Sequence, residues 1–279
     1  MIISIASGKG GTGKTTIATN LASALEDRCQ FLDCDVEEPN AHLFLKPDIK
    51  SEEKVFKLVP KADMSKCVLC GHCQEVCAFH AIAVVGKKHL VFPALCHGCG
   101  ACAHLCPYQA IIEEKKQIGV VQIGEVDNID FFCGYLNVGE AMAPPVIREV
   151  KKYIKKDCDV IIDAPPGTSC PVIEAVKGSD FSILVTEPTP FGLNDLKLGV
   201  EVLRKLGISF GVVVNRSDLG DDKTTQYCDK ENIDILMSIP FDREIAQSYS
   251  KGILMVDAIP AYRQKFLKLW DIIKKRVLK

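Results

Sequence analysis

The stretch IISIASGKGGTGKTT, residues 2–16, decides the fold. Its first six residues form an apolar, β-branched run, and its last nine are glycine, lysine and threonine. The next residues, IATNLASAL (17–25), repeat apolar side chains at helical spacing. A strand that turns through glycines into a helix makes a cradle for anions. Backbone N–H groups point inward in conformations that a side chain would obstruct, and the helix adds the positive end of its dipole. Gly8 to Thr15 satisfy G-x-x-x-x-G-K-[ST] in this strand–loop–helix context. Gly8, Gly10, Gly11, Thr12, Gly13 and Thr16 are expected to line the phosphates of ATP. Lys14 should reach the β- and γ-phosphates, and Thr15 should ligate Mg²⁺.

Working outward, the same alternation recurs in FLDCD (31–35), VIIDA (160–164), SILVT (182–186), FGVVVN (210–215) and ILMSIP (235–240). Helix-length segments such as Gly192–Leu206 lie between them. Continuous apolar strands separated by helices predict a doubly wound, mostly parallel α/β sheet covered on both faces. The chain's 279 residues suffice for a well-buried core. A formal net charge of −2 gives no global argument for a nucleic-acid partner. The apolar start is too short for a signal peptide, and no run approaches the roughly 20 apolar residues of a membrane span. The chain therefore reads as soluble and cytoplasmic.

The alternation breaks between about Leu58 and Gln117, which predicts an insert over 59–117 within a domain made of 1–58 and 118–279. Inside the insert, CVLCGHCQEVCAFHAI (67–82) and CHGCGACAHLCPYQAI (96–111) match cysteine for cysteine. Such duplication implies a compact module with pseudo-twofold symmetry. Fourteen cysteines in a chain without an export signal point to metal rather than disulfides. Each run has the C-x₂-C-x₂-C-x₃-C spacing of bacterial ferredoxins, in which the fourth cysteine belongs to the other cluster. One [4Fe–4S] cluster is thus assigned to Cys67, Cys70, Cys73 and Cys106, and a second to Cys96, Cys99, Cys102 and Cys77. Structural zinc takes two separated ligand pairs, for which the third close cysteine is surplus. Ala78 stands where proline commonly follows the fourth cysteine. His72, His80, His97 and His104 read as surface or packing residues.

Lys9 is a second lysine inside the glycine loop, giving Gly-Lys-Gly-Gly-x-Gly-Lys-Thr. In this the chain resembles the deviant Walker A ATPases, which include MinD, ParA, Mrp-type carriers, ArsA and the nitrogenase iron protein. The resemblance implies an ATP-dependent homodimer in which Lys9 crosses to the partner's phosphates and stabilises charge in the transition state. It also implies that Asp35, at the end of FLDCD, orients the attacking water, that Asp163 in VIIDAPPG is the Walker B acid near Mg²⁺, and that Gly167 lets this switch move. Asn215 matches the family's adenine-reading asparagine, and Asp242 in IPFD lines the same pocket. Hydrolysis is expected to be slow without a partner. Cys133 and Cys170 stand at offsets similar to those of the cysteines that hold a shared cluster in the nitrogenase iron protein, which raises a dimer-bridging cluster or metal there. The remaining cysteines, Cys29, Cys34, Cys158 and Cys228, read as small buried hydrophobes.

The tail AYRQKFLKLWDIIKKRVLK carries Tyr262, Phe266, Leu269, Trp270, Ile273 and Val277 at helical spacing. MinD proteins grip membranes with such a tail, but packing on the sheet explains the same stripe and is preferred. Three purposes fit the whole sequence. In two of them ATP is coupled to iron–sulfur chemistry, either as electron transfer toward a redox partner or as assembly and delivery of clusters to an acceptor protein. The alternative is a MinD/ParA-like spatial regulator with no redox role.

Overall fold

The computed structural model describes residues 1–278. Its strands are β1 (Ile2–Ser7), β2 (Cys29–Asp33), β3 (Asp48–Ala62), β4 (Ile82–Val85), β5 (Lys88–Val91), β6 (Ile111–Val126), β7 (Ile129–Leu136), β8 (Asp159–Pro166), β9 (Phe181–Thr186), β10 (Phe210–Asn215) and β11 (Ile235–Ile239). Nine form one sheet in the order β11-β10-β9-β1-β8-β2-β7-β6-β3, and β4 and β5 make a separate hairpin. From β11 to β7 every pairing is parallel, whereas β6 and β3 add antiparallel strands at one edge. The expected doubly wound sheet is therefore present.

Each face of the parallel part is buried, which is why its strands read as continuous apolar runs. On one face Ile17 and Leu21 of the helix Lys14–Ala24 meet Phe266 and Trp270 of the helix Ala261–Val277. On the other, Ile147, Val172, Leu196 and Leu203 come from three further helices. Tyr262, Phe266, Leu269, Trp270 and Ile273 are all buried, so the tail's apolar stripe is packed into the core.

The antiparallel edge is less visible in the sequence. β6 pairs with β7 only from Gly119 to Val126, yet it pairs with β3 as far back as Ile111. Since β7 runs parallel to β2, residues 111–117 and 56–62 continue past the carboxyl ends of the parallel strands. They form a two-stranded ribbon rising from the edge at which the glycine loop lies. The expected boundaries at 58/59 and 117/118 fall inside these two strands. The exposed residues Glu52, Glu53 and Lys54 on β3 blunt an edge that would otherwise invite pairing with another chain.

The ribbon carries a true duplication. Equivalent residues are offset by 29 (67 to 96, 70 to 99, 73 to 102, 77 to 106). The offset holds in the backbone too. Leu69 and Gly98, Gly71 and Gly100, and His80 and Gln109 are matched pairs with positive φ. The short helices His72–Glu75 and Ala101–His104 coincide under the same shift. So do β5 with residues 59–62 of β3, and β4 with residues 111–114 of β6.

At the ribbon's root Lys57 of β3 pairs across to Lys116 of β6, and both ammonium groups meet Glu140 in the loop after β7. The Lys57–Glu140 separation is 2.9 Å, with side chains only 3% and 7% exposed. Removing one partner of a buried pair leaves an uncompensated charge, which costs about 3–5 kcal/mol. Glu140→Ala should therefore lower the unfolding free energy by that amount in denaturant titrations, and Lys57→Met together with Glu140→Leu should recover most of it. A loss under about 1 kcal/mol, the ceiling for surface pairs, would show that the joint is open in solution.

Candidate functional site

The glycine loop leaves β1 at Ser7, whose hydroxyl donates to the Lys9 carbonyl at 2.5 Å. Two glycines are dictated by contact. A Cβ on Gly8 would lie 2.3 Å from the Asp195 carbonyl oxygen, and one on Gly13 would lie 2.6 Å from Asn215 Nδ2. Gly13 also has φ +96° and opens the helix Lys14–Ala24. Lys14 and Thr15 are buried at the floor of a cleft of about 430 Å³, within the range of small-molecule sites.

Asp35 lines the cleft, and Asp163 and Asp33 are buried behind it. Asp33 ends β2 and pairs in register with Asp163 of β8, while Asp35 follows two residues on. The Thr15 hydroxyl donates to Asp163 Oδ2 at 2.5 Å, and Asp163 Oδ1 is buried without a hydrogen-bond partner among the described residues. Asp33 accepts the backbone N–H groups of Asp35 and Ala41, each at 3.1 Å. Burial pushes Asp163 up to about 7, against the opposing pull of Lys14 and Thr15 and with help from Asp35. Burial also raises Asp35 to about 6, with Lys14 opposing and Glu38 and Glu37 assisting. Asp33 is raised by burial and by the Asp163 charge. Carboxylates held this way favour a cation, and the unpartnered Asp163 oxygen fits Mg²⁺ beside Thr15.

Lys9 lies 4.0 Å from Glu187, which also pairs with Arg216 at 2.9 Å. Gly167, φ +98°, donates its N–H to the Ser7 carbonyl and so ties the DAPPG turn to the end of β1. Asn215 donates to the Thr12 carbonyl at 2.9 Å and accepts from the Arg216 N–H at 3.0 Å. Asp242 lines the cleft as the N-cap of the helix Arg243–Ser250, accepting from the Glu244 N–H at 2.7 Å. Glu38, Asn40, Phe241 and Tyr249, which no motif singles out, also line the cleft. For the first two a signal exists: DVEEPN places polar residues directly after the strand end that carries Asp35.

On the module, the eight duplicated cysteines stand around two hollows. Cys67, Cys70, Cys73 and Cys106 line one, and Cys77, Cys96, Cys99 and Cys102 line the other. These are the two sets expected from the ferredoxin spacing, each with its fourth member from the opposite run. All fourteen cysteines are unpaired thiols. Among the described residues no three thiol, imidazole or carboxylate groups converge as a single-ion site requires. Backbone N–H groups of Ala81 and Ala110 donate to Cys77 and Cys106 Sγ at 3.3 Å, and that of Gly98 donates to Cys96 Sγ at 3.4 Å. Such donors favour thiolate at these three cysteines, while burial raises Cys73 and, to about 11, Cys102. It is the grouping of four thiols around each hollow that fits a cubane cluster.

The bridging role raised for Cys133 and Cys170 needs correction. Cys133 sits on β7 opposite Asp33, packed in the core and fully buried, and burial drives its thiol far above the ordinary range. Cys170 is exposed at the start of the helix Cys170–Val176. The fully buried Cys133 and the exposed Cys170 do not form a surface pair in this chain.

Sheet, glycine loop and carboxylate row together define a P-loop ATPase. The chain belongs to the CobQ/CobB/MinD/ParA nucleotide-binding domain family, which matches residues 3–255. An uncharacterized protein of Methanocaldococcus jannaschii is 35% identical over 90% of each chain. An iron–sulfur cluster carrier protein of Pyrococcus abyssi is 25% identical over 91% of this chain and 78% of its own length. Among solved structures, the cell division ATPase MinD of Pyrococcus furiosus aligns with a TM-score of 0.60 and 26% identity, covering 98% of each chain. The resemblance drawn from the doubled lysine is thus borne out. No helix among the described residues is long and apolar enough to cross a membrane.

The raised Asp163 makes a signed prediction. A carboxyl held near 7 when folded and near 3.8 when unfolded destabilises the nucleotide-free protein progressively as pH rises between those values. Asp163→Asn should therefore raise the nucleotide-free Tm at pH 8, with the gain shrinking as pH falls toward 4, while abolishing the Tm increase given by Mg-ATP. A gain that grows on acidification would contradict the burial of this charge.

Proposed function

We propose that the chain is an ATP-dependent, cytoplasmic iron–sulfur protein in which a nucleotide-gated homodimer couples hydrolysis to one-electron delivery to a redox partner. The observation that carries this reading is the pair of four-cysteine hollows on a ribbon rising from the same sheet edge as the glycine loop. Complete four-thiolate sets retain a cluster as a resident group. Cys67, Cys70, Cys73 and Cys106 would hold one [4Fe–4S] cluster, and Cys77, Cys96, Cys99 and Cys102 the other. Such clusters supply one-electron storage at a potential set by charge, hydrogen bonds and exposure.

At the cleft, backbone N–H groups of Gly8 to Thr16 receive the phosphates of ATP, and Lys14 neutralises the β- and γ-oxygens. Thr15, Asp163 and Asp35 would hold Mg²⁺, which spreads the charge of the transferred phosphoryl group. Asp35 orients the attacking water. Asn215 turns from the Thr12 carbonyl to the adenine edge, to which an amide offers a paired donor and acceptor, and Phe241 and Tyr249 supply an apolar wall with Asp242 at its rim. Lys9 leaves Glu187 and reaches the partner subunit's phosphates, so hydrolysis depends on dimer closure.

A second reading, delivery of clusters to an acceptor protein, is favoured by the relatives named iron–sulfur cluster carriers. The two separate in one experiment on anaerobically purified protein. Two resident clusters predict about 8 iron and 8 sulfide per chain without zinc. Mg-ATP should convert monomer to dimer, Lys9→Ala should block that conversion, and Lys14→Ala should abolish hydrolysis with iron content unchanged. Electron delivery predicts ATP-dependent reduction of an acceptor with iron retained on the chain. Iron moving to an apo-acceptor would favour delivery, and stoichiometric zinc in place of iron would overturn both.

A further inference from the structure

The duplication makes the two hollows directly comparable, because every lining residue except Leu58 and Pro107 has a counterpart 29 positions away that lines the other. They are not electrically alike. On the strands behind the cysteines, Val84 of β4 and His89 of β5 are paired across the hairpin and both line the Cys73 hollow. Their counterparts, Glu113 of β6 and Pro60 of β3, are likewise paired and line the Cys102 hollow. One site therefore has an apolar residue and an imidazole where the other has a carboxylate and a proline.

The imidazole makes contact. His89 Nε2 is 3.3 Å from Cys73 Sγ, and a metal-bound thiolate can only accept, so Nε2 must carry the proton. His72 also lines the Cys73 hollow, but its ring is turned to Glu75 at 3.6 Å. His97 lines the Cys102 hollow, stacked on Phe79 with centroids 3.6 Å apart. Of these three only His89 contacts a cysteine sulfur. Pro60 offers no donor from backbone or side chain. Glu113 is exposed, with its carboxylate oxygens 3.6 and 3.9 Å from where a Cβ on Gly100 would stand.

Adding an electron to a cluster adds negative charge to its sulfurs. A donor to a ligand sulfur stabilises the reduced state, and a nearby carboxylate opposes it. We propose that His89 and Glu113 set the two sites apart in potential, His89 raising the Cys67/Cys70/Cys73/Cys106 site and Glu113 lowering the Cys77/Cys96/Cys99/Cys102 site. A single electron from a low-potential one-electron donor then rests at the Cys73 site, with no bond made or broken and no proton transferred. The half-buried His89 contact has the larger effect, because water screens the exposed Glu113.

This rests on the two-cluster reading, and its test keeps the two apart. The full chain is purified anaerobically, its iron and sulfide are counted, and dithionite reduction is followed by electron paramagnetic resonance against potential. Failure to find two clusters in the parent protein would sink the two-cluster reading itself. With two clusters present, two separate one-electron waves are expected. His89→Leu should move only the upper wave downward, by about tenfold in the reduced-to-oxidised ratio, or about 59 mV. His89→Gln, which keeps an amide donor, should restore most of the shift. Glu113→Gln should move only the lower wave, upward and by less. Should His89→Leu fail to retain iron, the Gln variants decide the matter, with Glu113→Gln expected on the lower wave. One unsplit wave, or a Glu113→Gln shift in the upper wave, would overturn the assignment while leaving the two clusters in place.

Discussion

The pairing of Asp48–Ala62 with Ile111–Val126 is the constraint on which the rest of this molecule depends. β3 starts in the sheet and runs out beyond it, and β6 starts beyond the sheet and runs back in, so the cysteine module is not tethered by flexible linkers. It is an extension of the same hydrogen-bonded ladder that holds β7, β2 and β8, and thus Asp33 and Asp163, in register. The buried Lys57–Glu140 pair fixes the ladder where it leaves the sheet. The loop carrying Glu140 leads into the helix Pro144–Lys151, whose Lys151 ammonium donates to the carbonyls of Glu174, Ala175 and Lys177. Those carbonyls close the helix that begins just after the DAPPG turn. A continuous set of packed elements therefore joins the cleft to the ribbon, a route by which a change at one end can reach the other.

At the cleft, buried negative charge is only partly compensated by the chain itself. Asp35 at the cleft and Asp163 behind Thr15 share the charge of Lys14, and burial raises the first to about 6 and the second to about 7. Asp163 Oδ1, buried and without a hydrogen-bond partner among the described residues, is the atom at which this charge is least compensated. Lys9 is held by Glu187 in the single chain.

Much of this is legible in the sequence. The glycine loop announces itself because phosphate binding tolerates few alternatives to glycine, and the cysteine sets are readable because two runs repeat one spacing. Buried parallel strands are legible for a related reason: both faces demand apolar residues. β3 is hidden because its edge position exposes it to water, so DIKSEEK carries charge in place of alternation. β7 is hard to place although IDFFCGYL is apolar, since its neighbour β6 looks like part of the insert. Cys133 misleads in a similar way. Its sequence offset from Asp163 suggests a surface ligand, but strand register puts it beside Asp33 in the interior. Spacing along a chain fixes ligands within one short run and loses that power across separate strands.

The most direct test of coupling between cleft and module is backbone hydrogen exchange of the iron-loaded chain with a non-hydrolysable Mg-ATP analogue and with Mg-ADP. Transmission through the ladder predicts slower exchange with the ATP analogue at residues 56–62, 111–117 and 137–143, together with the glycine loop. Protection confined to the glycine loop and the carboxylate floor, with the ribbon unchanged, would show that the two sites share a chain without sharing a mechanism.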